Sequence, residues 1–276
     1  MRKRFLQFLA VAFAFLLVLK TCYVEESVDI ATFNIENFPK SERQIDGAFD
    51  AIAALEPEVV AVQEIRRPTQ FGHEARSRLG AEWHDIWPEE SPRHHVGVMF
   101  DSEVFEFLST ETHDGTVVCG GCKPALEVRL RRRGGDGPPL SVVAVHLKAY
   151  DEGLDIRRKQ YRALRALLGD LARRGDRIAL VGDFNSTRPE DRDLIGQLAH
   201  TFDLRWTTRR LACTSYWKPD DECLGSTLDH MLVGGAPPTA VGRGPCEHVG
   251  CEPGHACPTF VHHISDHCPI SLTLPP

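Results

Sequence analysis

The chain has 276 residues, of which 42% are hydrophobic and 26% are charged, so it can bury one large core. This composition excludes an intrinsically disordered or collagen-like protein. The formal net charge of −7 also argues against a protein that merely coats nucleic acid, since non-specific polyanion binding usually draws on a basic surface.

The first 22 residues have the pattern of an export signal. A basic segment at residues 1–4 precedes an apolar run at 5–19, which is shorter than the roughly 20 residues that a membrane-spanning helix needs. We therefore expect a cleaved signal and a secreted, periplasmic or envelope-attached protein that meets a membrane only through this segment. A permanent anchor and lipidation at Cys22 are the alternatives, although Lys20 is unusual before a lipidated cysteine.

Removal of residues 1–22 takes away four basic side chains and no acidic one, so the formal charge becomes −11. Of the nine cysteines eight then remain, and an even number in an exported chain predicts disulfides. We expect Cys119 to pair with Cys122 and Cys213 with Cys223. The alternative is a zinc site in the tail, although the spacing there matches no standard zinc finger. Its candidate ligands are Cys246, His248, Cys251, His255, Cys257, His262 and His263.

Short apolar runs rich in β-branched residues recur along the chain and predict strands. Their ranges are 28–34, 58–63, 95–100, 125–130, 140–147, 177–184, 227–233 and 269–274. Dense turn residues predict loops at 131–139, 213–225 and 234–245. Several strands follow one another without a helix between them, so two packed sheets with outer helices fit better than a doubly wound sheet.

Two segments have helical spacing of apolar residues. The first opens at Ser41, a predicted N-cap, and places Ile45, Phe49 and Ile52 on one face. The apolar face of the second consists of Ile156, Tyr161, Leu164, Leu168 and Leu171. We expect a single domain over residues 23–276.

Polar side chains lie where the first two predicted strands end. Asn34 ends the first and Glu64 directly follows the second. Carboxylate and amide oxygens are the ligands that Mg²⁺ prefers, so both residues are candidate metal ligands. The alternatives are a solvated strand end for Glu64 and a local turn for Asn34.

Asp183 and Asn185 carry the strongest local signal. They are two residues apart after an apolar run, which places them on one face if the strand continues, where they can orient water and bind phosphate. A strand-to-turn junction is the alternative. His146 also ends an apolar run, and a buried histidine satisfied by the backbone is the alternative for it.

Two Asp-His pairs occur near the C-terminus, Asp229-His230 and Asp266-His267. The second pair is placed to supply a base whose imidazole is oriented by another carboxylate. His230 is expected on the face opposite to Asp229 and outside the site. Zinc binding by these pairs is the alternative.

Six short motifs, taken in order, resemble the signature of the endonuclease/exonuclease/phosphatase superfamily. They are FNIENF (33–38), VQEI (62–65), HLKA (146–149), GDFNS (182–186), STLDH (226–230) and SDH (265–267). The resemblance spans about Ile30 to Leu274 and implies a four-layer α/β sandwich of two packed mixed β-sheets flanked by helices. It also implies a site at one end of that sandwich.

The resemblance further implies a role for each motif residue. Glu64 would be the principal ligand of Mg²⁺, or of Mn²⁺ or Ca²⁺, with Asn34 and Asp266 nearby. His146 and Asn185 would donate hydrogen bonds to the phosphoryl oxygens. The remaining catalytic residues would be His267 as general base, Asp229 as its partner, and Asp183 beside the attacking water as the alternative base.

These roles predict an exported, divalent-metal-dependent phosphodiesterase, and we expect a nuclease that cleaves DNA or RNA. Arg66 and Lys148 are the candidate substrate contacts, with further basic clusters at 131–133, 157–159 and 209–210. A phosphodiesterase or phosphatase for a lipid headgroup or an inositol phosphate is the alternative, which the acidic mature chain fits slightly better. A non-catalytic binding subunit is disfavoured because no motif residue is missing. No protein partner is implied, and we expect a monomer.

Overall fold

The structure is a computed structural model that describes residues 27–89, 93–217, 222–235, 238–248, 251 and 257–275. The predicted export signal, including Cys22, lies outside these residues, and so does His255. No helix in the described part of the chain has the length and apolar character needed to cross a membrane.

Two six-stranded mixed sheets form the centre of the molecule. The first has the strand order β13-β14-β1-β2-β4-β3, and the second β5-β6-β7-β8-β12-β9, while β10 and β11 form a separate hairpin. The strands of the described residues are β1 (Val28–Phe38), β2 (Val59–Ile65), β3 (Trp83–Ile86), β4 (His95–Asp101), β5 (Phe105–His113), β6 (Ala125–Arg132), β7 (Leu140–His146), β8 (Arg177–Asp183), β9 (Leu204–Trp206), β10 (Ser215–Trp217), β11 (Leu224–Ser226), β12 (Asp229–Gly234), β13 (Val241–Gly242) and β14 (Ile270–Leu274).

Helices cover the outer faces of both sheets. The first sheet is covered by α1 (Glu42–Ala53) and α2 (Pro68–Arg78), and the second by α3 (Leu154–Arg174) and α4 (Pro189–Thr201). Two short helices, α5 (Pro245–His248) and α6 (Thr259–His263), lie near the C-terminus. This architecture confirms the predicted four-layer α/β sandwich.

Side chains along each strand point alternately to the core between the sheets and to the helical layer outside. In β1, Ile30 faces the core between the sheets, whereas Ala31 and Phe33 pack against the helical layer. Because both faces of the sheets are buried, the strands are nearly continuous apolar runs. Each sheet contains one parallel pair, β1 with β2 and β7 with β8. The carboxyl ends of these strands open toward the same end of the sandwich.

The helix predictions are largely confirmed. Ser41 caps α1, and its hydroxyl accepts a hydrogen bond from the backbone N–H of Gln44 at 3.2 Å. In α3 the predicted apolar face is buried except for Ile156, which is only half-buried. The neighbouring Arg157 takes the buried position instead, because its guanidinium pairs with the buried carboxylate of Asp191.

Several elements escaped the sequence prediction. The strand β5 is mostly exposed at a sheet edge and lacks an apolar pattern, while α2 and α4 begin at prolines and carry few apolar residues. Short strands occupy parts of two predicted loops: β10 and the start of β11 lie within 213–225, and β13 lies within 234–245. Strands this short leave little periodicity in a sequence.

Four disulfides link the eight remaining cysteines. Cys119–Cys122 is bonded as predicted. The predicted Cys213–Cys223 pair is wrong, because Cys213 is bonded to Cys251 and Cys223 is bonded to Cys257. The other three disulfides are Cys213–Cys251, Cys223–Cys257 and Cys246–Cys268.

The same disulfides overturn the alternative of a zinc site in the tail. Cys246, Cys251 and Cys257 are each bonded to another cysteine, so none of them offers a thiolate to zinc. Four disulfides fit an oxidising compartment. Export itself stays a prediction.

Candidate active site

Three of the predicted catalytic residues lie side by side across the second sheet. Asp183 at the end of β8 is in register with His146 of β7 and with Asp229 of β12. Residues in register on neighbouring strands point to the same face. Here that face is the inner one, toward the first sheet, because Val181 and Met231, two residues away, belong to the core between the sheets.

Asn34 joins this row from the other sheet. Its buried amide donates a hydrogen bond from Nδ2 to Asp183 Oδ2 at 3.0 Å, and its Oδ1 accepts one from the backbone N–H of Glu36 at 3.1 Å. The amide oxygen is therefore engaged by the backbone. A role for Asn34 as a metal ligand stays a prediction.

Asp183 is the centre of the cluster and is buried. Its carboxylate accepts hydrogen bonds from the backbone N–H of Asn185 at 2.8 Å and from Asn185 Nδ2 at 3.1 Å. Burial raises the pKa of Asp183, against the opposing effect of His267 and His146. Before it, Gly182 has a φ of +135°, and a Cβ there would collide with the carbonyl oxygen of Val145.

The prediction that Asp183 and Asn185 share one face assumed that the strand continues through Asn185, and it does not. The strand ends at Asp183, and Asn185 has a left-handed backbone with a φ of 49°, which asparagine tolerates better than most residues. Its Nδ2 also donates to the carbonyl oxygen of Leu147 at 3.1 Å. Both amide hydrogens are thus used, one of them to orient Asp183.

His267 lies against the row and is paired with Asp229. The distance from His267 Nδ1 to Asp229 Oδ2 is 2.8 Å, and the same oxygen accepts from the hydroxyl of Thr214 at 2.8 Å. Burial alone lowers the pKa of His267, but the carboxylates of Asp229, Asp266 and Asp183 outweigh it and raise that pKa well above its usual range. Its Nε2 lies 3.9 Å from Asp183 Oδ2.

Glu64 reaches the site through an irregularity in β2. The pairing of β2 shifts register between Val62 and Ile65, and Glu64 has a left-handed φ of 62°. A bulge of this kind turns a side chain away from the face that simple alternation assigns to it. Glu64 Oε1 lies 3.9 Å from His146 Nε2, which is 3.5 Å from Asp183 Oδ2.

Charge and burial shift the pKa values of these two groups. Burial raises the pKa of Glu64, but the imidazoles of His146 and His267 outweigh that effect and lower it below its usual range. Burial lowers the pKa of His146, despite the carboxylates of Asp183 and Glu64.

Asp266 is the carboxylate with the most unusual surroundings. Its backbone is held on both sides, since its N–H donates to Glu36 Oε2 at 3.2 Å and its carbonyl accepts from the N–H of Tyr216 at 2.7 Å. Its Oδ1 is buried and has no hydrogen-bond partner among the described residues. Burial, reinforced by the carboxylates of Glu36, Glu64 and Asp183, raises its pKa to about 6.

These acidic groups offer two ways to hold a cation. A buried carboxylate oxygen without a donor, on a carboxyl whose pKa the charge of Glu64 helps to raise, is the kind of ligand a divalent ion prefers. One ligand atom from each of Asp183, Asp229 and His267 also lies within 4.8 Å of the others. Asp229 and His267 are already paired with each other, so Glu64 and Asp266 are the better candidates.

The two predicted substrate contacts lie at the margin of this cluster. Arg66 is exposed at the end of β2. Lys148 is half-buried and follows His146 on the loop to α3. Their roles stay predictions.

Lys123 is a cation near the site that the sequence reasoning missed. Burial lowers its pKa, Glu64 opposes that shift, and Lys148 adds to it, so the charges of Glu64 and Lys148 both act on Lys123. The turn closed by Cys119–Cys122 brings Lys123 there. The sequence feature that could have pointed to Lys123 is its position directly after the Cys-x-x-Cys segment.

His230 faces away from the site, as alternation along β12 predicts. Its Nε2 is 2.7 Å from the hydroxyl of Ser186, and its Nδ1 accepts from Trp206 Nε1 at 3.1 Å. Burial, with a contribution from Arg192, lowers its pKa to about 3. His230 is thus a neutral residue that supports the segment after Asn185 from behind.

The fold is shared with several solved structures. D. rerio TDP2 complexed with a single-strand DNA product has 15% identity and a TM-score of 0.69, covering 90% of this chain and 99% of that one. The human Nocturnin catalytic domain with bound sulfate has 17% identity and a TM-score of 0.67, covering 90% and 93%. An endonuclease/exonuclease/phosphatase from Bacteroides vulgatus has 16% identity and a TM-score of 0.65, covering 91% and 99%.

At these identities the solved structures show the fold alone. No curated protein has a sequence that matches this chain. The model of the Endonuclease/Exonuclease/phosphatase family, whose members are hydrolases of phosphoesters, matches residues 31–267. That match spans all six motifs and the whole row of polar residues between the two sheets, and the chain belongs to this family.

Proposed function

We propose that the protein is an exported, divalent-metal-dependent phosphodiesterase that hydrolyses the phosphodiester bonds of nucleic acid. The observation that carries the proposal is the buried row of His146, Asp183 and Asp229, completed by His267. A row of buried titratable groups with shifted pKa values is typical of a catalytic site rather than of a structural core.

Glu64 and Asp266, with Asn34 beside them, would hold the metal ion. The donor-free Oδ1 of Asp266 and the raised pKa of that carboxyl support this assignment, because a cation relieves the mutual repulsion of neighbouring carboxylates. A bound Mg²⁺, Mn²⁺ or Ca²⁺ would neutralise the phosphate charge that builds up during hydrolysis.

Proton transfer falls to His267, with Asp183 as the alternative. The bond from Nδ1 to Asp229 leaves Nε2 directed toward Asp183 and Asp266, so Nε2 is the atom that would take the proton of the attacking water. The carboxylates that raise the pKa of His267 stabilise the imidazolium that results, and a cation on Asp266 would offset part of that rise and favour the neutral imidazole beforehand. His146 Nε2 lies on the other side of Asp183 and is placed to donate to a phosphoryl oxygen. Asn185 orients Asp183. Its amide could donate to a phosphoryl oxygen only if it gave up one of its two present hydrogen bonds.

The proposal is tested with the mature chain, residues 23–276, on supercoiled plasmid, single-stranded RNA, sphingomyelin and an inositol phosphate. Each substrate is incubated with Mg²⁺ and, in parallel, with a chelator. We expect cleavage of plasmid or RNA that the chelator abolishes. Cleavage of sphingomyelin or the inositol phosphate without cleavage of nucleic acid would overturn the nuclease proposal.

Metal binding has its own readout, which does not depend on activity. We expect Mg²⁺ to raise the Tm of the wild type and to have little effect on Asp266→Asn and Glu64→Gln, because these variants lose ligand charge. Asp203→Asn, at an exposed carboxylate on the loop before β9, is the matched control and is expected to retain the wild-type shift. An equal shift in all four proteins would contradict the metal assignment.

A lipid headgroup is the second candidate substrate, and one observation favours it. Trp217 is 55% exposed on β10, and the adjacent Tyr216 is bonded through its backbone to Asp266. An exposed tryptophan beside a phosphodiesterase site is suited to a membrane–water interface. The sphingomyelin arm of the experiment decides between the two substrates.

A further inference from the structure

Tyr150 is an exposed aromatic residue on the loop between β7 and α3. Its side chain is 69% exposed, more than the other large exposed hydrophobic residues of the described chain, Phe107, Val117, Trp217 and Val241. Its backbone has a φ of 68° and a ψ of 161°, a region that is essentially reserved for glycine. The fold thus holds a tyrosine in a strained conformation without burying its ring.

A buried arginine maintains this conformation. Arg157 is fully buried in α3, where it forms an ion pair with Asp191 at 2.7 Å. Its Nη1 donates to the carbonyl oxygens of Lys148 at 2.8 Å and Tyr150 at 2.6 Å. Gln160, also buried, accepts from the backbone N–H of Lys148 at 2.9 Å. The loop is therefore fixed from behind by α3.

The same loop is attached directly to the catalytic row. The backbone N–H of Leu147 donates to the carbonyl oxygen of Asp183 at 2.9 Å, and the carbonyl of Leu147 accepts from Asn185 Nδ2. Tyr150 follows three residues later, so its Cα lies within about 11 Å of that of Leu147. An exposed ring is thus carried by a rigid, strained backbone three residues from a residue that is bonded to the catalytic row.

We propose that Tyr150 stacks against the base of a nucleotide adjacent to the scissile phosphate. The inference rests on the proposed function and narrows its substrate to unpaired nucleic acid, that is, single strands or frayed ends, because a paired and stacked base does not expose its face. Stacking on an aromatic side chain is tolerant of sequence, since every base has a π-face.

The test measures KM and kcat with Mg²⁺ on a single-stranded oligonucleotide that has one cleavage site, and on the same oligonucleotide with abasic residues flanking that site. We expect Tyr150→Ala to raise KM for the intact strand by roughly tenfold or more, the range of one lost stacking contact. Tyr150→Phe keeps the ring and is expected to retain the wild-type KM. On the abasic strand the three proteins are expected to be equal.

Phe107→Ala is the matched control, since Phe107 is an exposed aromatic on the edge strand β5. We expect it to leave KM unchanged on both strands. An equal KM for wild type and Tyr150→Ala on the intact strand would overturn the stacking proposal while leaving the nuclease proposal intact. Absence of any nucleic-acid cleavage by the wild type would overturn both.

Stability gives a second readout that a purely structural role would not reproduce. Tyr150→Gly relieves the strained backbone and is expected to keep or raise the Tm, while raising KM on the intact strand as Tyr150→Ala does. A lower Tm with an unchanged KM would show that Tyr150 serves the fold instead. If Tyr150→Ala lost the binding of the wild type to phosphatidylserine vesicles and kept the wild-type KM, the ring would belong to a membrane-binding surface and the proposal would be overturned.

Discussion

At the scale of single residues, unusual backbone conformations concentrate around the candidate site. Glu64, Asn185 and Tyr150 all have positive φ values although none is glycine. Such conformations persist only where surrounding contacts enforce them. The contacts are specific here: Asn37 donates to Glu64, Asp183 accepts from Asn185, and Arg157 holds Tyr150. The strained backbone at these residues therefore lowers the stability of the fold while it positions side chains at the candidate site.

The catalytic assignments predict the effect of two substitutions. His267→Ala removes the group that handles the proton, and Asn185→Ala removes the amide that orients Asp183. We expect each to lower kcat by about 100-fold or more, with a cooperative unfolding transition retained. Initial rates and thermal unfolding are the measurements, with His263→Ala, at a solvent-exposed histidine of α6, as the control. Wild-type turnover in His267→Ala would contradict the assignment.

His230 predicts a pH dependence of stability. Its pKa is about 3 in the folded protein and about 6.5 in the unfolded chain, so between about pH 3 and pH 6.5 only the unfolded chain binds the proton. The free energy of unfolding is thus expected to fall by about 1.4 kcal/mol per pH unit from pH 6.5 downward. Urea unfolding at pH 7 and pH 5 measures it. We expect His230→Gln to lack this component, and equal losses in both proteins would contradict the prediction.

At the scale of elements, α3 does more than cover the second sheet. Arg157 and Gln160, one turn apart on its buried face, bind the loop that carries Lys148 and Tyr150. The second nitrogen of Arg157 reaches Thr187, just after Asn185, at 3.1 Å. The helix therefore connects two of the loops that build the site, at the cost of burying an ion pair.

Adjacent arginines of α3 allow a matched test of this role. Arg157→Met leaves the buried carboxylate of Asp191 without its partner, and we expect a loss of about 3–5 kcal/mol in the free energy of unfolding. Arg158→Met removes an exposed pair with Asp155, for which the expected change is below about 1 kcal/mol. Urea unfolding of both variants is the measurement. Similar losses in the two variants would contradict a special role for Arg157.

At the scale of the whole molecule, the site depends on both sheets. Asn34, Glu64 and Asp266 come from the first sheet or its flanking segments, whereas His146, Asp183 and Asp229 come from the second. The bond between Asn34 and Asp183 crosses the gap between them. If only one sheet were folded, the candidate metal ligands and the catalytic row would not come together.

This shared core predicts that the two halves unfold together. Trp83 packs in the layer outside the first sheet, and Trp206 lies against the layer outside the second. Two single-tryptophan variants, each retaining one of them, are expected to show the same urea midpoint by fluorescence, and the same midpoint by circular dichroism. Distinct midpoints would show that the sheets unfold as separate units.

The sequence predicted the elements that carry a local pattern and missed those that do not. The capped helix at Ser41 and the strand before Asp183 were found because their apolar periodicity is long and regular. The edge strand β5 was missed because it is mostly exposed, and Lys123 because no motif contains it. The pairing of Cys213 failed because its partner, Cys251, is distant in sequence and only the folded chain brings the two together.

By itself, the sequence determined the four-layer class, the family and the set of candidate residues. Apolar strand patterns and short motifs each depend only on residues that are close together in the chain. Only the tertiary structure decided how those residues meet. Alternation along β2 would direct Glu64 to the helical layer together with Val62, and the bulge turns it inward. The contact between Asn34 and Asp183 likewise joins positions 149 residues apart, so it depends on how the two sheets pack.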